Sequence, residues 1–323
     1  MHRGLEPGTT NGDGTIAILG AGALGRLWAA CLPSETAGFV PKNGAAPSPR
    51  ALAYRFTDDL GRKQTVRRPW LTDLSELSLL LVTTKAGDTL QALEKIAGQL
   101  PVACPIALFQ NGLGSQQAVA SRWPQRPVLA ASTTEAANRP GPDAVVHAAR
   151  GCTWIGALNR PAQALVEPVA QQLATSGLSI QVEDRILARL WHKLVVNAGI
   201  NPFTALLDCP NGDILNARLF QDHIDDLCQE LAALMSAEGL PHQTPRQLRT
   251  DIEQVARATA TNTSSMRSDV RNGRMTEIDY INGHVVTRSR ALGLPAPVNQ
   301  MLTERVKQLV PHTDQKTGAS SHG

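Results

Sequence analysis

The chain has 323 residues, 42% hydrophobic and 18% charged, with a formal net charge of +3. That length holds two domains with a substantial core, and positive residues scattered through both halves exclude the basic stripe that nucleic-acid binding needs, leaving at most a mild preference for anionic small ligands. The five cysteines (Cys31, Cys104, Cys152, Cys209, Cys228) are odd in number, far apart and without CxxC or Cys/His spacing, which argues for a reducing compartment and against a zinc or other metal site.

Residues 1–14, MHRGLEPGTTNGDG, lack an apolar h-region and read as a flexible leader, not a signal peptide. From Thr15 the chain reads TIAILGAGALGRLWAACL. An apolar run, Ile16 to Leu19, meets Gly20, Gly22 and Gly25, and an amphipathic helical pattern follows. GxGxxG alone is a weak signal, but between a strand and a helix it is a dinucleotide fingerprint. The first glycine permits a tight turn, the second lets backbone approach a pyrophosphate, and the third lets helix pack on strand. The exposed N–H groups and helix dipole of Gly20, Ala21, Gly22, Ala23, Leu24 and Gly25 then favour phosphate.

A second strand is expected at Gly38 to Pro41. An NAD-preferring unit places an acidic residue roughly 20 residues past the glycines, and none occurs between Thr36 and Phe56, where Lys42 and Arg50 stand instead. This predicts NADPH/NADP+ as cofactor, with Lys42 on the 2′-phosphate; Arg50 weighs about equally as a solvated loop charge. Tyr54 to Arg68 reads as a hairpin turning at Asp59-Leu60-Gly61. Leu79 to Thr84 is a buried strand with Lys85 at its carboxyl end. Helical spacing follows over Asp88 to Ala97, and the strand Pro105 to Phe109 leads into QNGLG, putting Asn111 at the same edge. Val128 to Thr134 is another strand, and Ala144 to His147 with Cys152 to Gly156 are expected to form a closing hairpin. A helix over Pro161 to Ser176 and a last strand, Leu178 to Val182, complete a first domain of residues 15–184.

Beyond that point no strand is predicted. Arg185 to Leu207 reads as a central helix with Pro202 as a possible bend. Within it Lys193, Asn197 and Asn201 recur every four residues, an arc of about 80°, on a helix otherwise apolar nearly all round. By itself this stripe is equally an internal ion pair with bonded amides or a site; the glycine fingerprint, which needs a substrate pocket to work on, favours a site. Asn211-Gly212 is expected to form a turn. Helices are expected over His223 to Glu238, from Thr244-Pro245 to Thr259, and over Leu294 to Val310. Ser264-Ser265 reads as a cap before Met266. Thr276 reads as the cap of a further helix with Glu277 in its first turn, and Asp279, Asn282 and Arg288 as surface or capping groups. The second domain is thus all-helical, residues 185–311, and residues 312–323 a flexible polar tail. No apolar run approaches the ~20 residues of a membrane helix, so a cytoplasmic protein with no membrane partner is expected.

GAGALG at 20 to 25, VTTK ending at Lys85, QNGLG around Asn111, KLVVNAGINPFTALLDCPNG from Lys193 to Gly212 and SSMRSDVRNGRMTEIDYINGH from Ser264 to His284 together resemble the ketopantoate reductase family. The match runs in order from about Thr15 to Val310, and its later motifs are far more specific than the glycine fingerprint. The resemblance implies a Rossmann-type α/β domain followed by an all-helical domain, with the active site in the cleft between. It implies NADPH-dependent reduction of 2-dehydropantoate, a small 2-oxo acid, to (R)-pantoate, by a monomer or homodimer.

Carried over residue by residue, Lys193 is the catalytic lysine and Glu277 its acidic partner at cofactor and substrate. Lys85 and Asn111 lie on the cofactor side, Asn111 also touching substrate, and Ala137 is a backbone cofactor contact. Asn197, Asn201, Asn211 and Ser265 join Lys193 in binding substrate. Lys42 stands where many relatives have arginine, and Ala86-Gly87-Asp88 is less bulky than the family's usual segment. Two other readings stand beside this one: a reductase of another branched 2-oxo acid, and a non-catalytic NADPH-binding sensor, against which the full Lys193/Glu277/Ser265 set argues.

Overall fold

The computed structural model describes residues 14–42 and 47–310. The expected leader, Gly14 apart, and the expected tail lie outside those residues, as does part of the loop after the second strand. Two compact units divide between Trp191 and His192.

In the first unit the elements run β1 (Thr15–Leu19), α1 (Ala23–Cys31), β2 (Ala37–Phe39), β3 (Ala51–Thr57), β4 (Lys63–Pro69), β5 (Leu77–Val82), α2 (Ala86–Glu94), β6 (Ile106–Leu108), α3 (Ser115–Arg122) and β7 (Val128–Thr133). Then come β8 (Ala136–Gly141), β9 (Ala144–Ala149), β10 (Thr153–Ala157), α4 (Val166–Ala174) and β11 (Ile180–Val182). A seven-stranded sheet has the order β11-β10-β7-β6-β5-β1-β2. Strands β2, β1, β5, β6 and β7 are parallel, and β10 is antiparallel to β7. The chain leaves β1 for β2 on one side and returns to β5 on the other, so the topological switch point, where such sheets bind ligands, lies at the carboxyl ends of β1 and β5.

The strands alternate as a two-faced sheet must. Ile16, Ile18, Leu79, Leu81, Ala107 and Leu129 face a core shared with Leu27 and Trp28 of α1 and Leu173 of α4. Ala17, Leu19, Leu80, Val82, Ile106 and Leu108 face the other core, with Leu93 of α2 and Val119 of α3. A second sheet of order β4-β3-β9-β8 packs on α1 through Tyr54, Phe56, Val66 and Val145.

One strand pairing departs from expectation. The segments Ala144 to His147 and Cys152 to Gly156 do not form a hairpin: β9 pairs with β8 and β3 in the small sheet, while β10 pairs with β7 and β11 in the large one. The chain changes sheets between them at Gly151, where a Cβ would lie 2.4 Å from the Thr134 carbonyl carbon. Proline and glycine at the carboxyl end of β8 (AANRPG) hide it as a strand.

The second unit is helical: α5 (Ile186–Leu207, its first residues in the first unit), α6 (Arg218–Gln221), α7 (Ile224–Ala237), α8 (Pro245–Ala258), α9 (Ser265–Arg271), α10 (Asn282–Ala291) and α11 (Pro297–Leu309). Among the described residues no strand follows β11. Its buried apolar residues include Leu194, Val195, Ala198 and Phe203 of α5, Leu227, Leu231 and Leu234 of α7, Leu248 and Ile252 of α8, and Leu302 and Val306 of α11. Gly199 is required where α8 crosses α5, since a Cβ there would meet Ile252 at 2.5 Å. The Thr244 cap of α8 forms a full capping box with Gln247, with Pro245 at the first helical position.

Asn211-Gly212 opens a 3-10 turn, Asn211–Asn216, and is not a free turn. Its glycine lets it approach the end of α8, where a Cβ would lie 2.6 Å from that of Ala260. Thr276 starts no α-helix. Glu277 precedes a 3-10 turn, Ile278–Tyr280, and the helix begins at Asn282. All five cysteines are free. Cys104 lies under the large sheet and Cys228 inside α7, and burial pushes their thiols up to about 11 and about 12.

Candidate active site

The glycine loop in the first unit is built as its spacing demands. Gly20 has φ +116°, and a Cβ on it would lie 2.7 Å from the Thr84 nitrogen. Gly25 is tighter still, since a Cβ would sit 2.0 Å from the Gly20 carbonyl oxygen. Gly22, the N-cap of α1, has open space around its missing Cβ. So the outer two glycines serve packing, while the middle one leaves room for a group from outside at a helix N-terminus. That is a fit to a dinucleotide pyrophosphate, with Ala21, Ala23 and Leu24 completing the loop.

The neighbouring strand ends share this edge. Thr83 Oγ1, just past β5, donates to the Gly20 carbonyl at 2.7 Å across the switch point. Lys85 is the N-cap residue of α2 and half-buried, and Asn111, also half-buried, follows the adjacent β6. The structure thus brings the Lys85 and Asn111 backbones to one sheet edge. Lys42 lies exposed just past β2, the edge strand beside β1. Close by, a surface pocket is lined by Pro47, Ser48, Arg50, Trp70 and Thr72, and Trp70 bridges to Phe39 at the end of β2.

Ala137 lies on β8 opposite His147 of β9. The segment entering β8 is fixed by a buried pair, His147 Nε2 and Glu135 Oε2 at 2.6 Å, and by the Glu135 N–H donating to Thr133 Oγ1 at 3.1 Å.

In the second unit Lys193, Asn197 and Asn201 lie along α5, the first two half-buried and Asn201 buried. Burial pushes the Lys193 ammonium down to about 8, against the pull of the Glu277 carboxylate, which favours the charged form. Asn201 leads to Ser265 by a bonded path. The Thr204 hydroxyl donates to the Asn201 carbonyl at 2.8 Å and lies 2.7 Å from Ser264 Oγ, which accepts from the Arg267 N–H at the start of α9. Ser265, the first residue of α9, is exposed. Asn211 Nδ2 donates to Thr259 Oγ1 at 2.9 Å, while its buried Oδ1 meets no protein donor. Among the described residues no group of three or more His, Cys, Asp and Glu side chains could hold a metal ion.

Two family models cover most of the chain: "Ketopantoate reductase PanE/ApbA" matches residues 16–160, and its C-terminal counterpart matches 185–310. The chain belongs to the ketopantoate reductase family. It is 38% identical over 299 residues to a 2-dehydropantoate 2-reductase of Shigella flexneri, covering 91% of this chain and 94% of that one. Among solved structures it resembles a PanE/ApbA family ketopantoate reductase from Ralstonia eutropha JMP134, with TM-score 0.79 and 25% identity over 91% of this chain and 98% of that one. It shares its fold, at TM-score 0.80 and 21% identity over the same shares, with a D-mandelate dehydrogenase solved with NADH and anilino(oxo)acetate.

Within this ketopantoate reductase family chain, the sequence motifs passed over the groups that hold the named residues in place. Gln110, one residue before Asn111, is buried, and its Nε2 donates to the carbonyls of Val82 and Thr84, tying the ends of β5 and β6 together. Gln116 Nε2 does the same for the Gln110 and Gly112 carbonyls. Thr83 and Thr204 belong with them. Of these only Thr204 carries a sequence signal, a polar residue inside an otherwise apolar run between Phe203 and Ala205.

Asn282 is a correction. Neither surface nor cap, it is fully buried, donating to the Ala198 carbonyl and to Asn299 Oδ1. Arg288 instead makes an outward, partly buried ion pair with Glu238 at 2.7 Å, and Asp279 makes an exposed one with Lys307 at 2.5 Å.

Proposed function

We propose that this chain reduces 2-dehydropantoate to (R)-pantoate with NADPH, as a cytoplasmic enzyme of pantothenate and coenzyme A synthesis. What carries the reading is one lysine on the same stripe of α5 as Asn197 and Asn201, its ammonium pushed down to about 8, in a chain of the ketopantoate reductase family. When bound, the reduced nicotinamide supplies a hydride to the 2-keto carbon. Negative charge then grows on the keto oxygen, and a donor must meet it there. Lys193, protonated below about 8, donates a hydrogen bond to that oxygen and then its proton, and is recharged from solvent. The Glu277 charge keeps the ammonium form accessible against burial.

The remaining residues bind and orient. Asn111 orients the carbonyl or the nicotinamide, Ser265 takes the substrate carboxylate, and Asn197, Asn201 and Asn211 read the 4-hydroxyl. Asn211 supports this with a buried Oδ1 left for a ligand donor. The glycine loop, Lys85 and the Ala137 backbone hold the dinucleotide. Lys42 meets the 2′-phosphate, with Arg50 and Trp70 lining the pocket beside the same strand end.

The test follows the near-ultraviolet absorbance of NADPH with purified protein and ketopantoate, with NADH and 2-oxo acids lacking the 4-hydroxyl run in parallel. Fast NADPH-dependent turnover that drops steeply without the hydroxyl is expected, because a site built to bond that group rejects its absence. Equal turnover of the analogues would make the enzyme a reductase of another branched 2-oxo acid. Tight NADPH binding with no turnover on any of them would make it a sensor. Lys42→Ala should narrow the preference for NADPH over NADH, and an unchanged ratio would remove Lys42 from the phosphate site.

A further inference from the structure

Proline at 202 has no N–H, so it cannot give the Ala198 carbonyl, four residues earlier in α5, its helical hydrogen bond. That carbonyl lies between Asn197 and Asn201 along the chain, on the flank of α5 beside the polar stripe. A second donor reaches it from another helix: Asn282 Nδ2, the first residue of α10, at 3.2 Å. The same Nδ2 gives its other proton to Asn299 Oδ1 at 3.0 Å. Asn299, on α11, donates its own Nδ2 to Glu230 Oε2 at 2.7 Å.

Glu230, on α7, is in turn fixed by the first-turn N–H groups of α11, Val298 to Oε1 at 2.7 Å and Asn299 to Oε2 at 3.0 Å. Those are N–H groups that a helix start leaves without intrahelical acceptors, and a carboxylate is favoured there. Asn282 and Asn299 are fully buried and Glu230 nearly so. The direction of the chain is set from one end: a carboxylate only accepts, so it fixes which way the Asn299 amide faces, and Asn299 fixes Asn282. The donor on the Ala198 carbonyl is therefore dictated by a charge three side chains away.

We propose that Glu230, Asn299 and Asn282 are positioning residues for the substrate half of the site. Together they supply the hydrogen bond that Pro202 withholds from α5, and so set the spacing of Lys193 and Asn197 relative to Asn201. This rests on the proposed ketopantoate reduction. None of the three touches substrate. Their effect passes through one backbone carbonyl.

The experiment is a double-mutant cycle between Asn282→Leu and Pro202→Ala, since alanine at 202 restores an N–H that can bond the Ala198 carbonyl. Asn282→Leu should raise the KM for ketopantoate about tenfold, the size expected when a buried acceptor loses its donor, with the Kd for NADPH, measured by fluorescence titration, unchanged. Adding Pro202→Ala should bring that KM back to within about twofold of wild type, outside the range of additive effects. Glu230→Gln, whose amide can face either way, should shift KM in the same direction by less.

Additive changes in the double variant, or an NADPH Kd that moves with the KM, would overturn the proposal by reducing Asn282 to general packing. If Asn282→Leu alone does not fold, recovery of folded protein in the double variant supports the proposal, and failure of the double as well overturns it. A wild type that binds NADPH yet reduces no ketopantoate ends the functional reading instead. The cycle is then read from melting temperature, where coupling between 202 and 282 upholds the hydrogen bond and additivity removes it.

Discussion

The glycine edge of the first unit and the lysine helix of the second solve opposite problems. At the edge what matters is what is missing: no side chain fits at Gly20 or Gly25, and none is needed at Gly22. In the second unit what matters is side chains, held by groups distant in sequence: Thr204 of α5 with Ser264, Asn211 with Thr259, Asn282 with the Ala198 carbonyl of α5. The first kind of site is a local backbone shape and reads as a short motif. The second is assembled by packing and spreads along the whole domain.

The sharpest test of that contrast is Lys193→Ala. It should lower kcat by about 10²- to 10⁴-fold, the usual loss on removing a general acid, with NADPH affinity intact by fluorescence titration. Unaltered turnover would remove the chemistry from α5. Next is Gly25→Ala, whose Cβ would press on the Gly20 carbonyl. A destabilisation on the order of 3 kcal/mol is expected by denaturant unfolding, together with lost cofactor binding.

Gly22→Ala should leave unfolding untouched while weakening NADPH about tenfold, or ~1.4 kcal/mol. If both glycine variants lower stability alike, the division between a packing role and a ligand role is wrong. Asn201→Ala should raise the KM for ketopantoate about tenfold with a smaller change in kcat; an unmoved KM takes Asn201 out of the pocket.

The smallest effect is on pH. With the Lys193 pKa lowered to about 8 from its ordinary 10.5, the unfolded chain binds more protons than the folded one between those values. Stability should therefore gain a rising component across that window, absent from Lys193→Met, and kcat should fall as pH climbs through about 8. A kcat flat to pH 10 would mean that the lysine proton takes no part.

The same contrast explains what the sequence made legible. The α/β-then-helical order, the glycine loop and the strand ends at Lys85 and Asn111 came through because hydrophobic period and turn chemistry are local. The false hairpin came from the same logic carried too far. β9 and β10 both look like strands and follow one another, yet the partner of β9 is decided by β3, with Arg55 opposite Ala144. Asn282, followed by glycine, resembles a turn residue. Its burial answers to a proline 80 positions earlier in the numbering, a dependence no local window contains. Lys193 and Glu277 were joined only through family resemblance, because local pattern explained Glu277 as a helix-start carboxylate.

Cys104 and Cys228 give each unit its own clock. One thiol is closed beneath the large sheet and the other inside α7, and both are held far from the thiolate form. A thiol reagent at neutral pH therefore reaches each only when its surroundings open. Peptide-resolved labelling of these two cysteines would give separate opening rates for the two halves of one chain, with no introduced probe. A substitution at Gly25 should quicken Cys104 and one at Asn282 should quicken Cys228, so the damage done by any variant can be assigned to its half before a single turnover is measured.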